Sequence, residues 1–215
     1  MKDKLYFDGD WGFDCETYPN IVTFAFIKAD RTDRKVFEIS NRVNQLDDFL
    51  EFCRESKRSN YRWVTFNGLG FDYPLVHWII EKSKKAKLNN VKLKLTANQI
   101  YKYAMKIIES HKGDGFGISV NQEDIVIKQL DLFKMCHYDN KAKMTSLKLL
   151  EFNMRLDCIE DLPFPVGKIL SSEEMDVLIS YNFNDVDATL RFYEICNGAI
   201  SFRNNLSEKY NFDSQ

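Results

Sequence analysis

The sequence predicts an α/β protein, built as a mixed five-stranded sheet with helices on both faces. Three strand-like segments come first, and strand-like and helix-like segments then alternate along the chain, an order typical of sheets covered by helices. Two capping boxes, Thr96 with Gln99 and Ser171 with Glu174, mark the starts of two helices. The 215 residues contain no repeat and no Gly/Ser linker, so we expect one domain over residues 1–215.

Five segments have the composition of strands, with β-branched and aromatic residues bounded by turn-forming residues. Pro19 and Asn20 lie between the first two segments and predict a hairpin turn there. The third segment follows closely, which predicts a three-stranded meander at the start. The predicted strands cover residues 10–16, 20–29, 34–39, 61–66 and 124–132.

Five other segments place apolar residues at the spacing of a helix face. The first of them carries Leu46, Phe49, Leu50 and Cys53 in such a stripe. The polar end, residues 204–215, is expected to trail off without forming a further domain. The predicted helices cover residues 45–56, 73–85, 96–110, 146–152 and 171–195.

Composition excludes several classes of protein. A net charge of −2 argues against a surface-wide attraction to nucleic acid. The chain starts with a charged segment and has no apolar run of about 18 residues, so we expect neither a signal peptide nor a membrane span. The five cysteines are odd in number and widely spaced, without a CxxC pair, which argues against a disulfide framework and a zinc site. A reducing cytoplasm is therefore expected, that of the host if the protein is viral.

Six lysines between residues 82 and 94 form the one locally basic region of the sequence. A solvated helix end is the favoured interpretation of such a run. A surface that contacts phosphate groups is the alternative.

The stretch Trp11–Asn20 places two acids where a core strand should be apolar. Alternate strand residues point to opposite faces, so Asp14 and Glu16 share one face while Phe13 and Cys15 point into the packing. Two inward carboxylates are costly unless a cation neutralises them. A D-x-E pair is a weak signal alone, but here it lies where charge is least expected.

Two further acids are candidates for the same place. Asp72 follows the strand 61–66 and a glycine-containing loop, and the carboxyl ends of strands are where α/β sheets tend to hold their sites. A helix N-cap is the alternative interpretation of Asp72. In the last predicted helix, Tyr181 and Asp185 are i,i+4 neighbours at the edge of the apolar stripe, whereas Asp187 is expected to face solvent.

These four carboxylates can converge on one point above the sheet. Their four negative charges match two divalent cations, and hard oxygen ligands favour Mg²⁺ or Mn²⁺ over zinc. A pair of such cations is suited to in-line attack on a phosphodiester. The residues therefore predict a two-cation site made by Asp14, Glu16, Asp72 and Asp185.

At these residues the sequence resembles the DEDD superfamily of 3′–5′ exonucleases, which have an RNase H-like fold. The family motif F-D-x-E-T is similar to Phe13–Thr17, N-x(2–3)-F-D to Asn67–Asp72, and Y-x-x-x-D to Tyr181–Asp185. The three motifs occur in the family's order and span nearly the whole chain. The tyrosine points to the DEDDy branch, and the nearest likeness is to the proofreading domains of family B DNA polymerases and to stand-alone phage exonucleases.

The resemblance implies a hydrolase that removes nucleoside 5′-monophosphates from the 3′ end of single-stranded DNA. It implies that Asp14, Glu16, Asp72 and Asp185 hold two Mg²⁺ or Mn²⁺ ions and that Tyr181 orients the attacking water. It further implies a set of residues that hold the terminal nucleotides. These are Thr17, Asn67, Phe71, Ser146 and Leu147, the last two within Thr145–Leu150, which resembles a strand-contacting element of phage polymerases.

Two features limit the resemblance. Lys148 and Lys168 do not have the spacing of the lysine that some phage polymerases place near the scissile phosphate. No segment after Asn197 resembles a polymerase palm, so we expect either a stand-alone nuclease or an exonuclease piece of a longer protein. A subunit that proofreads for a separate DNA polymerase is a further alternative. Two alternatives stay open, the same chemistry on RNA, as in enzymes similar to RNase D, and a catalytically silent exonuclease fold that binds nucleic acid.

Overall fold

The computed structural model describes residues 8–112, 117–137, 146–154 and 161–210. These residues form five strands and seven helices. The strands are β1 (Asp10–Tyr18), β2 (Ile21–Lys28), β3 (Arg34–Ser40), β4 (Arg62–Thr65) and β5 (Lys128–Asp131). The helices are α1 (Leu46–Arg58), α2 (Asp72–Leu88), α3 (Ala97–Ser110), α4 (Leu132–His137), α5 (Leu147–Met154), α6 (Ser172–Ile195) and α7 (Asn197–Tyr210).

The five strands make one mixed sheet with the order β3-β2-β1-β4-β5. β1, β2 and β3 form an antiparallel meander, and β1, β4 and β5 run parallel to one another. The predicted α/β fold class is confirmed, since this mixed sheet and its helices are consistent with an RNase H-like fold.

Helices cover both faces of the sheet, as predicted. Phe13 and Cys15 of β1 belong to the main core, which α1, α2 and α3 complete on one face. On the other face α6 lies directly against β1. A Cβ atom at Gly12 would come within 2.8 Å of Leu190 Cγ and 2.9 Å of Val186 Cγ1, so the close approach of helix and strand requires glycine at that position.

The predicted strand 124–132 is wrong at both ends. A single 3₁₀ turn occupies Gln122–Asp124, and Leu132 already begins α4. The second difference has a clear cause, because the Asp131 carboxylate accepts hydrogen bonds from the backbone N–H groups of Phe133 and Lys134. These bonds cap a helix start and end the strand.

Residues 197–210 form the helix α7, which the sequence did not predict. In α7, Ile200 is buried in a cluster with Leu132 and Tyr193. Phe202 of the same helix is exposed, so the apolar residues of α7 do not mark one clear buried face in the sequence.

Both predicted capping boxes are confirmed. The hydroxyls of Thr96 and Ser171 each accept a hydrogen bond from the N–H group three residues on. The side-chain oxygens of Gln99 and Glu174 in turn accept one from the backbone N–H of the cap residue. Among the described residues, no helix is both long and apolar enough to cross a membrane.

Candidate functional site

The candidate site lies where β1 extends beyond its parallel neighbour. β1 pairs with β4 only over Asp10–Gly12, so the later residues of β1 have no strand on that side. Asp14 and Glu16 belong to this extension. One carboxylate oxygen from each of Asp14, Glu16 and Asp185 lies within 4.8 Å of the other two. The predicted convergence of the β1 acids with Asp185 is therefore present.

Asp72 enters the site from the edge of the sheet. Its Oδ1 accepts a hydrogen bond of 3.1 Å from the backbone N–H of Cys15, in the place that a longer β4 would have occupied. The Cys15 thiol also donates to this carboxylate. The N-cap interpretation of Asp72 is wrong, since Phe71 is the N-cap of α2 and Asp72 is the first helical residue.

Cys15 therefore does more than pack in the core. Its backbone and its thiol both hold Asp72, which ties the start of α2 to β1 between the two strand acids. Sequence reasoning assigned Cys15 to packing alone, and no local pattern indicates this bond because its partner lies 57 residues away.

Burial and mutual repulsion raise the pKa values of the acids. The pKa of Asp14 is raised well above its ordinary value, by burial first and then by Asp72, Glu16 and Asp185. Burial, Asp185 and Asp72 raise the pKa of Glu16 to about 8. Burial raises the pKa of Asp72 to about 7, although the hydrogen bonds from Cys15 lower it. All four acids therefore belong to one electrostatic unit.

The chemistry of this donor set fits divalent cations. Burial is the first cause of each of these three raised pKa values, and neighbouring carboxylates raise the pKa values of Asp14 and Glu16 further. Ionising these acids together therefore costs free energy, and a bound cation would offset that cost. Carboxylate oxygens are the ligands that Mg²⁺ and Mn²⁺ prefer. The converging oxygens of Asp14, Glu16 and Asp185 are suited to such an ion, whereas Asp72 is a neighbouring acid outside that group of three.

Tyr181 lies one helical turn before Asp185, as its spacing predicts. The side chain is buried, and its hydroxyl is hydrogen-bonded to the Asp185 carboxylate. Burial, Asp185 and Glu16 raise the pKa of Tyr181. The hydroxyl therefore keeps its proton at neutral pH and is a donor at the edge of the acid cluster.

Two buried polar side chains, Asn182 and Thr23, orient Asp14, and they were not predicted from the sequence. The Asn182 Nδ2 donates to Asp14 Oδ2 at 2.6 Å, and the Thr23 hydroxyl donates to Asn182 Oδ1 at 3.0 Å. Both Asn182 and Thr23 are fully buried. Asn182 shares the buried face of α6 with Leu178 and Val186, and an amide within an apolar stripe was the signal available in the sequence.

Asp187 lies away from the acid cluster, as predicted. It forms ion pairs of 2.8 Å with Arg31 and with Arg191, all partly exposed. Helical periodicity therefore predicted correctly that Asp185 lies in the acid cluster and that Asp187 lies outside it.

Two of the predicted strand-binding residues lie in the loop between β4 and α2. Asn67 is exposed and has a left-handed backbone, with φ of 62°. Phe71 is half-buried and directly precedes Asp72. Both are therefore close in the chain to a site acid, and their contact with a nucleotide stays a prediction.

The other three predicted strand-binding residues lie on different elements. Thr17 follows Glu16 in β1, and strand alternation turns its side chain to the face opposite the acids. Ser146 caps α5, since its hydroxyl accepts the N–H of Leu149 at 3.2 Å. Leu147 is the first residue of that helix, which packs on α6, while Thr145 of the same motif lies outside the described residues.

Four of the lysines weighed in the sequence form ion pairs with acids. Lys148 pairs with Asp161, and Lys168 bonds Glu174 at 2.5 Å. In the basic run, Lys84 pairs with Glu81 and Lys92 with Asp47. These pairs support the solvated-helix interpretation of the run.

Comparison with known proteins adds no relative. No family model matches the chain, and neither a curated protein nor a solved structure matches it significantly.

Proposed function

We propose that this chain is a metal-dependent 3′–5′ exonuclease of the DEDDy type, acting on the 3′ end of single-stranded DNA. One observation carries the proposal. Oxygen atoms of Asp14, Glu16 and Asp185 lie within 4.8 Å of one another, and Asp72 is electrostatically coupled to the two acids on β1. Tyr181 is hydrogen-bonded to Asp185 beside them.

The four carboxylates are the proposed ligands of two Mg²⁺ or Mn²⁺ ions. Such a pair, when bound, supplies positive charge to the attacking and leaving oxygens of a phosphodiester. The protein's part is to hold the ligands in place. The Asn182 amide fixes one oxygen of Asp14, and the Cys15 N–H fixes one oxygen of Asp72.

Tyr181 is the proposed group that positions water for attack. Because burial and neighbouring acids keep its hydroxyl protonated, it is suited to hydrogen bonding and not to taking a proton. Asp185 holds that hydroxyl at the edge of the cluster.

The substrate strand is proposed to approach along the loop before α2. Asn67 is exposed there and Phe71 is partly exposed, and an aromatic ring beside the acids can stack on a terminal base. Removing the four ligand charges from the net charge of −2 leaves −2 + 4 = +2 for the rest of the chain. The remainder therefore has no net negative charge that would oppose a DNA strand.

The proposal is tested with a 5′-labelled single-stranded oligonucleotide, supplied as DNA and as RNA, in Mg²⁺, Mn²⁺ or EDTA. We expect a ladder of products shortened from the 3′ end of the DNA, abolished by EDTA and by Asp72→Ala. The matched control is Asp48→Asn, an exposed carboxylate on α1, which should leave the ladder unchanged.

Three outcomes would contradict the proposal in different ways. Digestion of RNA alone supports the RNase D-like alternative. Binding of DNA without cleavage in either metal supports a silent nucleic-acid-binding module. Cleavage that persists in EDTA rules out the metal-dependent chemistry altogether.

Tyr181→Phe tests the role of the hydroxyl separately. We expect the cleavage rate to fall by about 100-fold, because the group that orients water is lost while all four carboxylates remain. Mn²⁺ binding, followed by calorimetry, should stay within about threefold of wild type. Loss of Mn²⁺ binding in this variant would assign the hydroxyl to holding the ligands instead.

A further inference from the structure

Two cysteines that are 60 residues apart in the chain lie side by side. The sulfur atoms of Cys136 and Cys196 are 3.6 Å apart. Cys136 lies on α4 and is exposed, whereas Cys196 lies between α6 and α7 and is buried. The two sulfurs are therefore adjacent, and one of them is open to small reactants.

The two thiols have different acidities. The hydrogen bond from Cys196, and then Arg203, lower the pKa of the Cys136 thiol to about 7 against the effect of burial. The same hydrogen bond and burial raise the pKa of Cys196. Since the thiolate is the reactive form, Cys136 is suited to react first and Cys196 to follow.

The other cysteines in the described part of the chain lack these features. Cys15 and Cys53 are both buried, and burial raises the pKa of each thiol. They are therefore internal controls for the reactivity of Cys136. The fifth cysteine, Cys158, lies outside the described residues.

We propose that Cys136 and Cys196 form a reversible oxidation site, in which peroxide converts the two thiols into a disulfide. This proposal does not depend on the proposed nuclease function. The odd number and wide spacing of the cysteines argue against a permanent disulfide framework. They do not argue against a single reversible disulfide between these two cysteines, which the fold brings together.

The chemistry proceeds in two balanced steps. The Cys136 thiolate attacks one oxygen of hydrogen peroxide, the O–O bond breaks, and a sulfenic acid and hydroxide form. The sulfur of Cys196 then attacks the sulfenic sulfur, forms the S–S bond and expels the hydroxyl as water with the thiol proton. In sum, two thiols lose two electrons and two protons, and peroxide becomes two waters.

The geometry requires a small movement. A disulfide has an S–S distance of about 2.0 Å, so the sulfurs at 3.6 Å must approach by about 1.6 Å. Rotation of the Cys136 side chain about its own bonds is the simplest route because this cysteine is exposed.

The disulfide would join α4 to the junction of α6 and α7. Asp185 lies about three helical turns before Cys196, so the acid cluster should keep its arrangement. Cross-linking two segments 60 residues apart restricts the unfolded chain. We therefore expect the oxidised protein to melt roughly 5–10 °C higher than the reduced protein.

The test uses the full chain carrying Cys158→Ser, treated with hydrogen peroxide at pH 7. We expect the mass to fall by that of two hydrogen atoms, and a peptide map to show Cys136 linked to Cys196. Dithiothreitol should reverse both changes. Cys15 and Cys53 should stay reduced and should react with maleimide only after unfolding.

Single variants separate the two roles. Cys196→Ser should leave a sulfenic acid on Cys136 that dimedone traps, and Cys136→Ser should abolish both the adduct and the disulfide. Three results would overturn the proposal. They are a disulfide between a different pair, direct over-oxidation of Cys136 without a disulfide, and equal reactivity of Cys136 and Cys53.

Discussion

At the residue scale, the orientation of Asp14 depends on two neutral side chains. The Thr23 hydroxyl, a donor to the Asn182 carbonyl oxygen, fixes which end of the amide faces Asp14. The amide N–H groups can then only donate to the carboxylate. This hydrogen bond lowers the pKa of Asp14, against the larger effects of burial and of the neighbouring acids, which raise it.

Replacing Asn182 by alanine should weaken both the fold and the site. Asp14 and Thr23 lose a buried partner and a small cavity forms, so we expect the free energy of unfolding to fall by about 2 kcal/mol in urea titrations. Mn²⁺ affinity at pH 7 should fall at least tenfold by calorimetry, since a residue that orients a ligand is lost. Asn184→Ala, an exposed change on the same helix, is the control, and equal losses in both variants would contradict this role.

At the element scale, one buried acid fixes the loop that leads into α2. Asp131 accepts hydrogen bonds from the N–H groups of Asn67 and Leu69 at 2.9 and 3.0 Å. The same carboxylate caps α4 through Phe133 and Lys134. The end of β5 therefore holds the loop that delivers Asp72 to the edge of β1.

Asp131→Asn should loosen that loop without removing any site acid. The amide nitrogen cannot accept a hydrogen bond, so at least one loop N–H loses its partner, and we expect about 1–3 kcal/mol of lost stability. Hydrogen exchange should speed up at Asn67 and Leu69 while the amides of β1 stay protected. The matched surface change Asp48→Asn should alter neither the stability nor the exchange rates of the loop. If exchange at the loop is also unchanged in Asp131→Asn, Asp131 is dispensable for holding the loop.

At the scale of the whole molecule, the acid cluster makes the free energy of unfolding depend on pH. The pKa of Glu16 is raised to about 8 and that of Asp72 to about 7 in the folded chain, above the values of about 4 expected in the unfolded chain. At a pH between the unfolded-chain pKa values and the folded-chain pKa values, the folded state binds more protons than the unfolded state. The free energy of unfolding contributed by these groups therefore decreases as pH rises from about 4 to 8.

Glu16→Gln isolates this effect. In EDTA, we expect the variant to gain stability relative to wild type by on the order of a few kcal/mol between pH 5 and pH 8, measured by urea unfolding. Mg²⁺ should stabilise wild type more than the variant at pH 8. The exposed control Glu109→Gln should follow wild type at every pH, and a Glu16→Gln curve parallel to wild type would contradict the linkage.

Features set by near neighbours in the chain were predictable from the sequence. Strand alternation placed Asp14 and Glu16 on one face, helical spacing joined Tyr181 to Asp185, and both capping boxes formed. Each of these depends on geometry that repeats every two to four residues. The fold class followed from the order of such elements.

Contacts between distant segments were not predictable. Thr23 and Asn182 are 159 residues apart, and Cys136 and Cys196 are 60 apart. Their pairing depends on how β2 lies beside α6 and how α4 lies beside α7, which no local pattern encodes. The end of β5 was missed although its cause is local, because the Asp131 side chain of the strand itself caps the following helix.

The contact at Gly12 sets the distance between β1 and α6 beside the proposed catalytic cleft. Val186 and Leu190 rest on bare backbone there, two residues before Asp14 along the strand. Even one added methyl group would act as a wedge that spreads β1 from α6 and widens the gap between Asp14 and Asp185. Mutational tolerance along this strand should thus be lowest at a position that bears no functional group, so a survey of variants by activity would mark Gly12 as if it were catalytic.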